Sequence, residues 1–416
     1  MSQPPQSACL TWNNEPPLSE ATLRFVREHR TDDPRQLALQ GRRLPDVDLP
    51  AALNQIAGWQ AARVKLPRWA ATDGILYPAR LSMEQCSSEL TAGYKASLVE
   101  GRTGQGRFID LTGGMGVDCA ALAALFPQAD YVERQEELCR LAANNFPLLG
   151  VGHIRVHRAD CLNFLPHAPQ ADWIFIDPAR RDAHGGRTVA LAQCEPDLTQ
   201  LEETLLRKGT RVMAKLSPML DLTQALHDLH RVEAAHVVAV DNECKELLLI
   251  LDPDAPDSPD DVPLTCVNLD SRLPASSLTF TRREEQAREC TYASRPETYL
   301  YEPNASLLKA GAFRSVAYIY KVKKLHPNSH LYTSDTRLPD FPGRAFRLTG
   351  MSGPHKKEAA RLLDGGGKAN LTVRNFPATV AELRRQLKLS EGGSVYLFAT
   401  TLANGSRVLL RGEKLT

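Results

Sequence analysis

The stretch Phe108-Ile-Asp-Leu-Thr-Gly-Gly-Met-Gly-Val-Asp118 decides how this chain is read. An apolar run ends in an acid, glycines stand at 113, 114 and 116, and an amphipathic segment follows. Glycine permits positive φ and lets backbone N–H groups come close to a ligand, so strand, glycine-rich turn and helix in that order predict a nucleotide-like site. A dinucleotide fingerprint would need a third small residue where, counted from Gly114, Cys119 stands. The Gly-Lys-Ser/Thr of a phosphate-binding loop is absent.

Outward from this stretch, short apolar runs alternate with longer amphipathic ones. The runs are 108–111, 131–132, 154–156, 173–176, 212–216, 237–240 and 247–251, and helical spacing fills 119–126, 136–146, 198–206 and 220–229. Alternation of this kind predicts a doubly wound, Rossmann-like α/β sheet. Only Asp241-Asn-Glu-Cys-Lys-Glu246 separates the last two runs, too little for a crossover helix, so they should form a hairpin with one antiparallel strand. Residues 1–100 show helical spacing, as in 18–26 and 83–98, and predict an N-terminal helical domain. A glycine-rich spacer, 101–106, leads into a domain over 101–255, and the Pro/Asp run 252–261 marks its far boundary. Beyond it the spacing predicts a strand over 371–376, a helix over 379–389 and a hairpin over 394–410 around Asn404-Gly405.

A length of 416 residues suggests two to four domains, and 43% hydrophobic with 24% charged residues exclude disordered, collagen-like and coiled-coil classes. No apolar run has the length of a membrane span and the first residues lack a basic-then-apolar pattern, so the expected location is cytoplasmic. Nine dispersed cysteines without a CxxC pair predict free thiols, and no metal is expected. His227 and His230 share a helix face but lack a third ligand nearby. Charge is uneven. Residues 271–416 hold 24 Lys and Arg against 12 Asp and Glu, net +12, whereas the rest hold 26 against 37, net −11. Such a tail points to a polyanionic partner, or else to solvated basic faces.

The pattern D-x-T-x-G-x-G at 110–116 resembles the first motif of class I S-adenosylmethionine-dependent methyltransferases, with Thr112 where glycine is usual, as in the small-subunit rRNA guanine-N2 methyltransferases. The resemblance implies a seven-stranded sheet and assigns cofactor roles to Asp110, Thr112, Gly113, Gly114 and Gly116. It also implies an acid after the second strand for the ribose, supplied by Glu133, and one after the third for adenine, supplied by Asp160 beside Cys161. The fourth motif, Asp177-Pro178, would be catalytic, accepting a substrate N–H. Here the sequence departs from the family's Asp-Pro-Pro-aromatic run. Ala179 and Arg180 replace proline and the ring, and Arg180 and Arg181 either bind phosphate, stack a base or pair with nearby acids. Lys215, after the fifth strand, is a substrate-side candidate or part of an ordinary turn. Cys194 and Cys244 lack the context of a covalent nucleophile.

The segments Ser82-Met-Glu-Gln-Cys-Ser-Ser-Glu-Leu-Thr-Ala-Gly-Tyr-Lys-Ala-Ser97, Tyr301-Glu-Pro-Asn-Ala-Ser-Leu-Leu-Lys-Ala-Gly311, Phe346, Val373-Arg-Asn-Phe-Pro377 and 396–405 resemble bacterial class I methyltransferases with a C-terminal THUMP-like domain. That resemblance implies a C-terminal α+β region, ferredoxin-like over 271–345 and THUMP-like over 346–416. THUMP domains proper bind RNA, so the expected function is S-adenosylmethionine-dependent methylation of a base in tRNA or rRNA. The alternatives are a protein or small-molecule methyltransferase, and a noncatalytic RNA-binding or assembly factor that keeps the pocket. Among basic residues of the tail, Tyr318, Tyr320 and Phe346 are candidates for base stacking or for core packing.

Overall fold

The structure, a computed structural model, describes residues 18–39, 44, 46–103, 106–180, 190–271 and 275–415. Helices come first: α1 (Glu20–His29), α2 (Pro34–Leu39), α3 (Leu49–Lys65), α4 (Pro67–Ala71), α5 (Arg80–Gln85) and α6 (Glu89–Val99). Next come β1 (Arg107–Asp110), α7 (Val117–Ala123), β2 (Gln128–Glu133), α8 (Glu136–Leu148), β3 (Ile154–Arg158), α9 (Cys161–Phe164) and β4 (Ala171–Ile176). The short strands β5 (Ala179–Arg180) and β6 (Cys194–Glu195) precede α10 (Leu198–Lys208), β7 (Gly209–Leu216), α11 (Leu222–Asp228), β8 (Val232–Val240) and β9 (Glu243–Leu251). No described helix is long and apolar enough to cross a membrane.

Two compact units divide the chain. The first comprises 1–233 and 247–257, the second 234–246 and 258–416. In the first, β1 lies between β2 and β4, β3 flanks β2 and β7 flanks β4, all parallel, and β9 runs antiparallel to β7. These strands belong to a nine-stranded sheet, within which the run β8-β9-β7-β4-β1-β2-β3 is the seven-stranded arrangement expected from the alternating runs. The hairpin turn is tighter than the sequence suggested. Asp241 and Asn242 alone make it, both at positive φ, and β9 already begins at Glu243.

The core of this unit is built on Phe108, Tyr131, Phe146 and Trp173, each fully buried. The helical segment 20–99 packs within the same unit. Asn145 on α8 accepts from Leu76 N at 2.9 Å and donates to Leu76 O at 2.8 Å, so one buried amide ties segment 75–77 to the sheet's helix layer. Helical spacing over 83–98 does not give one helix. The chain breaks at 86–88, because Ser88 and Thr91 form a reciprocal capping box that starts α6 afresh.

The second unit contains β10 (Leu264–Leu269), parallel to β8, and β11 (Ser276–Phe280), antiparallel to β10. After α12 (Arg282–Ala287) come β12 (Tyr299–Pro303), α13 (Ala305–Ala310), α14 (Phe313–Tyr320), β13 (Lys323–Lys324), β14 (Tyr332–Ser334) and β15 (Gly343–Ser352). It ends with α15 (Lys356–Leu362), β16 (Asn370–Arg374), α16 (Val380–Leu387), β17 (Val395–Thr401) and β18 (Arg407–Lys414). Its seven-stranded sheet has the order β13-β14-β12-β15-β18-β17-β16. One core gathers Leu300, Phe346 and Phe398, another Leu371, Leu383 and Leu397.

Candidate active site

Because β1, β2, β3, β4 and β7 run parallel, their carboxyl ends share one edge, where open α/β sheets bind ligands. Asp110 ends β1, Glu133 ends β2, Asp160 follows β3, Asp177 follows β4 and Lys215 lies one residue before the end of β7. A cleft of about 150 Å³ at this edge is lined by Thr112, Glu133, Asp160, Cys161 and Asp177, with Arg134, Gln135 and Glu195 around them. Sequence reasoning had placed the first five together and passed over the last three. Arg134 and Glu195 form an ion pair at 3.2 Å.

The glycines have two different jobs. A Cβ at Gly113 would stand 2.1 Å from the Tyr131 ring, and one at Gly116 (φ 85°) would stand 2.8 Å from Phe146, so these two let the turn sit down on aromatic side chains. Gly114 (φ 54°) has open space, and its N–H donates to Glu133 Oε2 at 3.0 Å. Gln135 N donates to Glu133 Oε1 at 2.8 Å, so both carboxylate oxygens are held while each keeps accepting capacity. Asp160 caps α9, accepting from Leu162 N at 2.9 Å. Burial, with Asp160 beside it, pushes the Cys161 thiol up to about 11, so it is protonated at neutral pH.

Asp110 is 1% exposed and accepts from Thr112 N at 2.9 Å through Oδ1, while Oδ2 is buried with no partner among the described residues. Burial pushes its carboxyl well above the usual carboxylate range, against the Thr112 N–H and with help from Asp118, Asp177 and Glu133. Thr112 turns its hydroxyl to the fourth motif, accepting from Asp177 N at 2.7 Å.

Asp177 lines the cleft with its side chain 36% exposed, and Lys215 Nζ lies 2.5 Å from its Oδ2. The register explains the pair, since Ile176 is opposite Ala214 and the next residues of the two strands are Asp177 and Lys215. Pro178 is buried behind Asp177, and Ala179 and Arg180 form β5 against Cys194–Glu195. Arg181 lies outside the described residues. Asp118, in the first turn of α7, meets Lys95 at 3.2 Å and Lys215 at 3.5 Å. Burial alone would raise its carboxyl, but the two ammoniums hold it below the usual range. Sequence reasoning missed Lys95 and Ser87 in this cluster, although both fall in the 82–97 segment.

In the second unit Phe346 is a core residue, fully buried, and is no stacking platform. Tyr318 is 62% exposed, with Arg288 over its ring at 5.4 Å. Several basic residues of the tail are engaged internally: Arg344 and Arg374 both pair with the buried Glu302, and Arg384 with Glu391. Lys324 is 3% exposed. Lys321, Arg347, Lys356, Lys357 and Arg385 stay exposed.

The sheet order and the acids along its carboxyl edge define a class I methyltransferase fold. A ferredoxin-like domain family matches residues 299–342, and a THUMP domain-like family matches 343–414. Among solved structures, a Porphyromonas gingivalis W83 protein described as a candidate methyltransferase superposes with a TM-score of 0.85 at 37% identity, covering 95% of this chain and 98% of that one. The chain therefore belongs to the methyltransferase family represented by that structure. Fragments also align with TrmN from Thermus thermophilus (18% identity, TM-score 0.29, 40% of this chain and 48% of that one). The same holds for an rRNA methylase from Streptococcus thermophilus (14%, TM-score 0.30, 39% and 94%), and neither likeness carries an argument. No curated protein matches.

Proposed function

We propose that the chain transfers a methyl group from S-adenosylmethionine to a base of structured RNA, tRNA or rRNA. The observation that carries the reading is the convergence of Thr112, Glu133, Asp160 and Asp177 on one cleft at the carboxyl edge of the sheet. The residues suit the cofactor: Asp110, whose buried Oδ2 has no hydrogen-bond partner among the described residues, ends β1 just before the glycine turn, and Glu133 and Asp160 retain acceptor capacity for ribose hydroxyls and the adenine amino group. When bound, S-adenosylmethionine supplies a methyl group on a sulfonium, already activated for transfer.

The protein's work is then alignment, for which positioning alone is worth orders of magnitude in rate. Asp177 accepts the substrate's N–H and aims its nitrogen into the cleft, with Pro178 fixing the turn. Lys215 holds the Asp177 carboxylate, and Arg180 and Arg181 serve the substrate side. RNA as substrate draws support from the THUMP domain-like match and from Lys321, Arg347, Lys356, Lys357 and Arg385 on the surface, which supply phosphate attraction. Such methylation belongs in a reducing cytoplasm, where the free thiols persist.

The test is transfer of radiolabel from S-adenosylmethionine to total RNA taken from cells lacking this protein. Labelling by the wild type and its loss in Asp177→Ala is the expected result. Labelling undiminished in Asp177→Ala would overturn the catalytic assignment, and label in protein but not RNA would move the substrate class.

A further inference from the structure

The 82–97 segment, to which the proposed function gives no task, delivers two side chains to Asp118, beside the Lys215–Asp177 pair. The loop between α5 and α6 contributes Ser87, and α6 contributes Lys95, whose side chain is fully buried. Lys95 Nζ lies 3.2 Å from Asp118 Oδ1 and 3.3 Å from Ser87 Oγ. Ser87 Oγ donates to Asp118 Oδ2 at 2.7 Å. From the other side Lys215 Nζ approaches the same Asp118 oxygen at 3.5 Å and Ser87 Oγ at 3.4 Å, and it reaches Asp177 Oδ2 at 2.5 Å. Charges of alternating sign thus run Lys95, Asp118, Lys215, Asp177, from the interior to the cleft.

Burying an ammonium is expensive even when it is paired, and an apolar trio of similar volume would join α6 to α7 without that cost. A staple for the helices therefore does not explain the choice of residues. What the charges add is direction. Asp118 draws Lys215 to one place, Lys95 offsets the negative charge that would otherwise accumulate there, and the Ser87 hydroxyl bridges the two ammoniums. Lys215 in turn ties one Asp177 oxygen.

We propose that Ser87, Lys95 and Asp118 are positioning residues that fix Lys215 and, through it, the orientation in which the Asp177 carboxylate receives the substrate. The N-terminal helical segment is then part of the active site. This inference rests on the reading of Asp177 as the group that meets substrate.

The experiment compares the wild type, Ser87→Ala, the double variant Lys95→Met/Asp118→Leu, and Asp177→Ala. Melting temperature, S-adenosylmethionine affinity and radiolabel transfer to total RNA from cells lacking this protein are measured at limiting and saturating RNA. The double variant swaps the buried pair for apolar side chains, so it should melt at or above the wild-type temperature and bind S-adenosylmethionine within about threefold. Its maximal rate should fall roughly 10- to 100-fold at an unchanged half-saturating RNA concentration, the signature of misplacement without lost binding. A maximal rate equal to wild type in the folded double variant would overturn the proposal, as would a loss matched by weaker RNA or cofactor binding. Should the double variant fail to fold, Ser87→Ala decides: a several-fold fall in maximal rate at unchanged melting temperature supports the proposal, and an unchanged rate overturns it. Full activity in Asp177→Ala sinks the parent reading. Loss there with normal activity in the other variants sinks only the positioning role.

Discussion

The hydroxyl of Thr112 accepts a hydrogen bond from the backbone N–H of Asp177 at 2.7 Å, so the residue that departs from the glycine pattern of the first motif ties that motif to the fourth. A glycine there could make no such bond. The glycine turn and the Asp177-Pro178 turn are thereby set against each other.

Thr112→Val keeps the shape and removes the acceptor, leaving the Asp177 N–H unpaired at a cost of about 1–3 kcal/mol. We expect methyl transfer to fall about tenfold in Thr112→Val and to recover in Thr112→Ser, as checked by initial rates of radiolabel transfer.

Asp110 gives a pH signature. Its folded-state pKa is raised by burial, so between the ordinary carboxylate pKa and the raised value the folded chain keeps a proton that the unfolded chain has lost. Stability from this group is present at low pH and declines as pH rises, by up to about 1.4 kcal/mol per pH unit. Asp110→Asn lacks the decline, and its urea midpoint relative to wild type should rise between pH 5 and 8. A constant difference would show an ionised Asp110.

His236 works the other way. Burial pulls it down to about 4 from the usual 6.5. The unfolded chain therefore binds a proton that the folded chain refuses, and stability present above pH 6.5 is lost as pH falls toward 4. The loss is about 3 kcal/mol. In His236→Gln, melting temperatures measured from pH 7 to 4.5 should fall less steeply than in wild type.

Gly113→Ala drives a methyl into the Tyr131 ring at 2.1 Å, whereas Gly114→Ala meets open space and pays only for its φ of 54°. Overpacking of the first kind costs about 1–3 kcal/mol or more, and the left-handed conformation of the second about 1–2 kcal/mol. Chemical denaturation should rank Gly113→Ala as the less stable variant.

Much of the first unit was legible in the sequence because its signals are local. Short apolar runs gave the seven strands, and the spacing of Asp110, Glu133, Asp160 and Asp177 along successive strand ends brought them to one edge without any long-range knowledge. The parts not legible are those in which distant segments meet. Lys95 carries no distinguishing signal within the 82–97 segment, yet it is fully buried against Asp118, because helical spacing marks an element and not what covers it. Phe346 reads as a candidate platform, but Leu300 and Phe398 from other strands enclose it. The basic tail overstates its outward charge, since Glu302 engages both Arg344 and Arg374.

Calorimetric titration with S-adenosylmethionine, of the wild type and of Glu133→Ala, tests the central claim most directly. Glu133 holds Gly114 N and Gln135 N and is assigned the ribose, so losing it removes charged hydrogen bonds worth about 1.5–3 kcal/mol each. The account predicts saturable one-to-one binding by the wild type, weakened at least about tenfold in Glu133→Ala, which melts below the wild type but is folded at the titration temperature. Equal affinity in the two proteins, or no binding by the wild type, would contradict it.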